Sequence, residues 1–251
     1  MIPARGGSER LPRKNIKVLC GHPLIAYTIK AAQRANLLTD YLVSSEDAEI
    51  LDVARAYGAH TPFVRPSYLA GNSVRNIDVV LHALQFMQDK RGYTYDIVLL
   101  LQPTCPIRDP HHIDEAIKLL SDPKLDTVAS VKGPFKKRDP ILKRLRQGIL
   151  EAYCDHENPG KVEPFYVYNA SIYGAKRDYL VRERKLISGK QIPLIMDPYY
   201  SIDIDTELDF LIAEVCLKHI TYLEHEKIGG EVYGENETHR GSHTGTYNST
   251  P

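Results

Sequence analysis

From Tyr95 to Leu101 the chain reads YDIVLLL, with no polar side chain after Asp96. A run of that length suits a strand, and unbroken apolar character suits one covered on both faces, as in a parallel sheet. The segments around it follow the same logic. HPLIAYTIKAAQRANL places Leu24, Tyr27, Ile29 and Ala32 on an approximate helical stripe, with Pro23 suited to the first helical position. DYLVSS predicts a short strand. EDAEILDVARAYG predicts a helix stopped by Gly58. RNIDVVLHALQFMQ carries Ile77, Val80, Leu81, Leu84 and Met87 close to a helical period, HHIDEAIKLL predicts another helix, and DTVASVK a strand. Strand and helix alternate through residue 132, which predicts an α/β core.

The alternation then breaks. KGPFKKRDPILKRLRQGILEAY suggests a hairpin turning near Gln147-Gly148, and FYVYNASIY is aromatic and β-prone. Residues 133–190 are expected to form an inserted β-rich lobe that makes a dimer contact. Residues 191–228 return to strand then helix. Residues 229–251 have almost nothing to bury and are expected to be disordered.

Lysine plus arginine and aspartate plus glutamate each total 32, so the formal net charge is zero. That balance argues against broad electrostatic binding to nucleic acid. Cys20, Cys105, Cys154 and Cys216 have no metal-site spacing and suit reduced thiols. No apolar run approaches the roughly 18 residues of a membrane span. With no signal peptide ahead of the first motif, a cytoplasmic location is expected.

Three stretches could carry chemistry. IPARGGSERLPRKN gathers Arg5, Arg10, Arg13 and Lys14 around Gly6, Gly7 and Ser8. It fits a triphosphate cradle of backbone N–H groups and cations, and equally a solvated basic turn. In SIDIDTELDF, Asp203 and Asp205 would share one face of a strand, and hard oxygen ligands beside a phosphate loop suit Mg²⁺. Acidic residues also favour a helix N-terminus, and Thr206 with Asp209 has the spacing of a capping box. In LLLQPTCPIRDP, Gln102 ends the buried strand, where ligands of open α/β sheets bind. It would hold a hydroxylated substrate or merely occupy a turn. Arg65, in PFVRPSYLAGN, suits a base, a phosphate or the surface.

IPARGGSERLPRKNI, RPSYLAGNSVRNIDVVLHAL, LLLQPTCPIR and SIDIDTELDF, in that order, resemble the acylneuraminate cytidylyltransferases. The resemblance spans about residues 1 to 220. It implies a Rossmann-like, mostly parallel sheet with helices on both faces, of the nucleotide-diphospho-sugar transferase type. It implies Mg²⁺, a homodimer, and the reaction of CTP with a nine-carbon 2-keto acid sugar to give CMP-sugar and pyrophosphate. Motif by motif, it assigns the nucleotide to Ala4, Arg5, Gly6, Ser8, Arg10, Lys14, Asn15, Arg65 and Asn76. It assigns the sugar to Gln102, Lys143 and Asn169, and the metal to Asp203 and Asp205, with Arg5, Lys14, Gln102 and Asp203 as the catalytic set.

Two departures are visible. Glu9 stands where many relatives carry lysine, so it is expected to point away from the triphosphate, with Arg10 taking over. Val167 stands where an arginine commonly precedes the NGAIY motif, here YNASIY. A transferase using another nucleotide or an octulosonate sugar is the alternative within enzymes. A non-catalytic nucleotide-sugar binding protein is the alternative outside them. Glu9 favours the latter; Lys14, Gln102, Asp203 and Asp205 argue against it.

Overall fold

The structure is a computed structural model that describes residues 1–135, 143–147, 149–152, 165–189 and 191–230. In chain order the elements are β1 (Ile2–Pro3), β2 (Val18–Leu19), β3 (His22–Pro23), α1 (Leu24–Arg34), β4 (Val43–Ser44), α2 (Ala48–Ala56) and α3 (Asn76–Arg91). There follow β5 (Ile97–Leu101), α4 (Pro110–Leu120), β6 (Thr127–Phe135), β7 (Lys143–Arg146), β8 (Ile149–Ala152), β9 (Phe165–Lys176), α5 (Arg177–Glu183), β10 (Ile192–Ile195) and α6 (Glu207–Gly230).

The main sheet has the order β10-β6-β9-β5. Main-chain bonds continue it to β1: Met1 donates from its amino group to the Leu99 carbonyl, and the Leu101 N–H donates to the Met1 carbonyl. β1 pairs with β4 in parallel, as β6 does with β10. The exception is β9, antiparallel to both β5 and β6. Thus the expected α/β, mostly parallel architecture is present.

β5 shows why its sequence is unbroken. Leu99 and Leu101 pack with Ile25, Ile29, Ile50 and Ile113 from α1, α2 and α4. Val98 and Leu100 point the other way, to Ile77, Val80 and Leu180 from α3 and α5. Helices cover both faces, so no position in the strand tolerates a polar residue. Where α4 crosses β9 the packing is so close that a Cβ on Gly174 would meet Leu99, Val128 and Leu120 within 2.8 Å.

Three expectations are corrected. First, residues 133–190 are not all lobe. Ile172 to Lys176 pair with β5 in the middle of the sheet, and α5 packs on the core, because the sheet needs a strand between β5 and β6. The distal part is a hairpin, β7 with β8, that turns at Gln147 as expected. Second, Asp203 and Asp205 lie on an extended segment that pairs with no strand; the Ile204 N–H instead donates to the Thr104 carbonyl. Third, Pro23 caps α1 rather than opening it, because it still pairs within β3. The 229–251 expectation lies outside the described residues from 231 onward.

Candidate active site

The carboxyl ends of β1 and β5 open into a cleft of about 400 Å³. Where the chain leaves β1, the Ala4 N–H still bonds to Ser44 at 2.9 Å. It then loops through Arg5 to Arg13. Arg13 has φ +56, which turns the chain into a 3-10 turn at Lys14–Ile16. The Asn15 amide donates to the Arg5 carbonyl at 2.9 Å and ties the loop's two ends. Behind the loop, Leu11, Leu19 and Leu24 pack on Ile204, Phe210 and Ala213, so the basic loop and the acidic segment share one small core.

That shared core brings opposite charges together. Lys14 Nζ donates to the Ile204 carbonyl at 2.7 Å and to Asp205 Oδ1 at 3.1 Å. Arg10 Nη2 reaches Asp205 Oδ2 at 3.1 Å. Arg10 is 68% exposed, so its pairing is weak, whereas Lys14 at 13% is held. The Asp203 carboxyl is pushed above the usual carboxylate range by burial, with the nearby Asp205 charge adding to it. The expected capping box is present. Asp209 Oδ2 accepts from the Thr206 N–H at 2.7 Å, and the Asp209 N–H donates to Thr206 Oγ1 at 3.3 Å.

The structure brings Arg5, Ser8, Arg10, Lys14, Asn15, Arg65, Asn76, Gln102, Asp203 and Asp205 to one cleft. Three expected residues stand elsewhere. Ala4 is buried beneath the loop. The Gly6 N–H donates to Glu46 Oε1 at 2.8 Å, so it is not a free phosphate donor; a Cβ there would collide with Asp47. The Asn169 side chain is buried, bonded to Ser130 and Ser201, and does not line the cleft. Lys143 is in β7, and its side chain lies outside the described residues. Arg13, counted among the opening cations, turns away to Asp47 and Glu49, where it braces the start of α2.

Glu9 is the sharpest correction. It does not point away. It lines the cleft and accepts from the Asn72 amide, whose oxygen in turn accepts from Arg5. Each of these three polar groups satisfies a neighbour, which stabilises a carboxylate at the loop end of the cleft.

Several residues were not anticipated. Glu46 holds both the Gly6 N–H and the buried Arg65, the latter at 2.6 Å. Its placement in the short turn between β4 and the Asp47 cap is the available clue. Asn72 and Ala170 also line the cleft.

Among the residues lining the cleft, Arg5, Arg10, Lys14 and Arg65 face Glu9, Asp203 and Asp205. Four cations against three carboxylates leave too little positive charge for a triphosphate. A divalent cation would offset most of the shortfall, and Asp203 with Asp205 is a donor set of the hard-oxygen kind that Mg²⁺ uses together with substrate phosphates. Among the described residues no group of three or more histidine, cysteine or acidic side chains could hold a metal by itself. Nor is any helix there long and apolar enough to cross a membrane.

Residues 1–228 match the cytidylyltransferase family. The chain is 35% identical over 227 residues to the CMP-N,N'-diacetyllegionaminic acid synthase of Legionella pneumophila, covering 87% of this chain and 95% of that one. It is 31% identical over 218 residues to the N-acylneuraminate cytidylyltransferase of Escherichia coli, covering 85% of this chain and 50% of that protein. In fold it is similar to a CMP:2-keto-3-deoxy-manno-octonic acid synthetase complexed with CTP, with a TM-score of 0.60, 18% identity, and coverage of 90% and 97%.

Proposed function

The chain belongs to the cytidylyltransferase family, and from that premise we propose that it joins CTP to a nine-carbon 2-keto acid sugar, giving CMP-sugar and pyrophosphate. The observation that carries the reading is one cleft with cations at its loop end, a paired-carboxylate segment beside them, and Gln102 at the end of β5. The similarity to synthases of CMP-legionaminic and CMP-sialic acids supports the sugar class.

Arg5, Arg10 and Lys14 bind and orient the triphosphate. Lys14 is kept in place beforehand by Asp205 and the Ile204 carbonyl, so little reorganisation of it is needed when phosphate oxygens arrive, whereas the exposed Arg10 is free to follow them. Arg65, fixed by Glu46, and Asn76 at the start of α3 receive the base. Gln102 holds the sugar. Its anomeric hydroxyl attacks the α-phosphorus, the bond from that phosphorus to the bridging oxygen breaks, and pyrophosphate leaves. Positioning and charge carry such a transfer. Asp203 and Asp205 would hold Mg²⁺, which when bound supplies positive charge for the phosphates and a more acidic hydroxyl. Asp203, which lines the cleft beside Gln102, is the group proposed to hold the hydroxyl's proton.

The proposal includes a homodimer. Phe135, Phe165, Tyr166, Val167 and Tyr168 form an exposed apolar arm at the outer ends of β6 and β9. A twofold contact would cover that arm and bring the β7–β8 hairpin towards the partner. Light scattering is expected to give twice the chain mass; a monomer with full activity would overturn the dimer. The cytoplasm, where CTP is made, is the proposed location. The reading as a whole is tested by pyrophosphate release across the four nucleoside triphosphates with N-acetylneuraminic, legionaminic and pseudaminic acids. Release is expected with CTP and at least one of these acids. Release only with another nucleotide, or with none, would refute it.

A further inference from the structure

Behind the neutral wall of the cleft lies a group that the chemistry above does not use. Arg108 is 6% exposed, and every acceptor it meets is uncharged. Its Nε donates to Ser171 Oγ at 3.0 Å and its Nη1 to Thr28 Oγ1 at 3.1 Å. Its Nη2 donates to the carbonyls of Ser171 at 2.7 Å and Gln102 at 3.0 Å. Burial pushes its pKa down to about 10. A buried cation with no carboxylate partner is expensive, and hydrogen bonds must offset that cost.

What Arg108 grips is an irregularity in β9. Ala129 pairs with Tyr173 and Val131 with Tyr168, so Asn169 to Ile172 stand opposite Ser130 alone. The Ser130 hydroxyl fills the gap: it donates to Asn169 Oδ1 at 2.5 Å and accepts from the Ile172 N–H at 2.7 Å. Asn169 in turn donates to Ser201 Oγ at 2.9 Å. On this bulge sits Ala170, with φ +59, a conformation that favours glycine. Ala170 lines the cleft together with Gln102, Pro103 and Asp203.

We propose that Ala170 determines which sugar acid the cleft accepts, and that Arg108 is the positioning residue that fixes Ala170 relative to Gln102. The inference rests on the sugar-acid reading above. Arg108 bonds to carbonyls on both sides of the sugar end, one just beyond β5 and one in β9, so it sets their separation. The bulge is anchored from below by Ser130, Ser201 and Arg108 and cannot yield easily to a larger ligand. Ala170 and Pro103 are the apolar part of a lining that also holds Gln102 and Asp203. A deoxygenated or acylated substituent suits that apolar part; a hydroxyl set against it, rather than against Gln102 or Asp203, would leave water without gaining a partner.

The test measures kcat and KM for wild type, Ala170→Ser, Ala170→Gly, Arg108→Lys and Ser171→Ala. The substrates are CTP with N,N'-diacetyllegionaminic acid and with the more hydroxylated N-acetylneuraminic acid. Ala170→Ser is expected to raise kcat/KM for the hydroxylated acid relative to the other by about tenfold. Ala170→Gly, which relaxes the backbone and removes the methyl, shifts the same ratio less. Arg108→Lys is expected to raise KM for both acids by about tenfold while KM for CTP stays within about twofold, because an ammonium cannot span two strands as a guanidinium does. Ser171→Ala, a milder change should Arg108→Lys fail to fold, gives a smaller effect in the same direction. A ratio that moves less than about twofold in both Ala170 variants overturns the specificity assignment. Equal loss on CTP and sugar in the Arg108 and Ser171 variants overturns the positioning role. If wild type turns over none of N-acetylneuraminic, legionaminic and pseudaminic acids with CTP, the sugar-acid reading itself is overturned, and this inference falls with it.

Discussion

The two ends of the cleft are built in opposite ways. The loop end consists of charged side chains from β-strand exits and loops: Lys14 and Arg10 on Asp205, and Arg5 linked through Asn72 to Glu9. Most of these groups are partly exposed. The other end, proposed to take the sugar, presents the uncharged side chains of Gln102, just beyond β5, and Ala170, in β9, backed by the buried hydrogen bonds of Asn169, Ser171 and Arg108. Charge in a half-exposed loop can follow a flexible, highly charged ligand. A buried, hydrogen-bonded network yields less readily, so it selects by shape. The two ends should therefore fail differently when perturbed.

The largest effect is expected where the ends meet. Asp203→Asn and Asp205→Asn keep the side-chain shape but remove charge from the proposed metal site. Each is expected to lower turnover by about a hundredfold or more, roughly 2.7 kcal/mol of barrier, while the melting temperature holds. Asp205→Asn should also loosen Lys14 and Arg10, so its KM for CTP should rise where that of Asp203→Asn does not. Wild-type-like turnover in both variants at limiting Mg²⁺ would remove the metal from the site.

Next comes a matched pair. Lys14→Ala is expected to raise KM for CTP by about thirtyfold, and the defect should shrink as ionic strength rises, since the lost interaction is screened in wild type too. Gln102→Ala is expected to raise KM for the sugar acid by about tenfold with little dependence on salt. If both variants showed the same salt response, the contrast between a charged end and a neutral end would be lost.

The contrast also explains what the sequence disclosed. Arg5, Arg10, Lys14, Asp203 and Asp205 could be singled out because charge strings and capping signals are local patterns. The two-sided burial of β5 was equally plain, since IVLLL has no polar face to expose. By contrast, the position of β9 depends on pairing between residues far apart in the chain, so aromatic, β-prone sequence looked like lobe when half of it is core strand. The family resemblance places Asn169 at the sugar, and its true position is hidden for the same reason. Its motif was visible, but only the mismatch between β6 and β9 turns its amide inward to Ser130. Arg108 was passed over because a cation in a loop gives no sign that it will be buried. Glu9 failed on a simpler ground. Repulsion by phosphate favours a carboxylate turned outward, but Asn72, 63 residues away in sequence, supplies the hydrogen bond that keeps it facing in.

Glu9 also gives the smallest and most discriminating change at the charged end. Its carboxylate lines the cleft that is proposed to take a triphosphate, so in wild type it opposes CTP. Glu9→Lys removes one negative charge and adds a positive one at an exposed position, where solvent screens both. A gain in CTP affinity of about three- to tenfold is expected, at most roughly 1.4 kcal/mol. Part of that gain is offset because Asn72 loses its acceptor and no longer steadies Arg5 as well. Glu9→Gln separates the two contributions: it keeps an acceptor for Asn72 while removing the charge, and should give a smaller gain. Calorimetric titration of CTP into the three proteins at two salt concentrations reads the effect. A silent Glu9→Lys would mean that the triphosphate lies away from Glu9, nearer Lys14 and Asp205. Weaker binding in both variants would mean that the Arg5–Asn72–Glu9 chain contributes more to CTP binding by holding Arg5 than its carboxylate takes away.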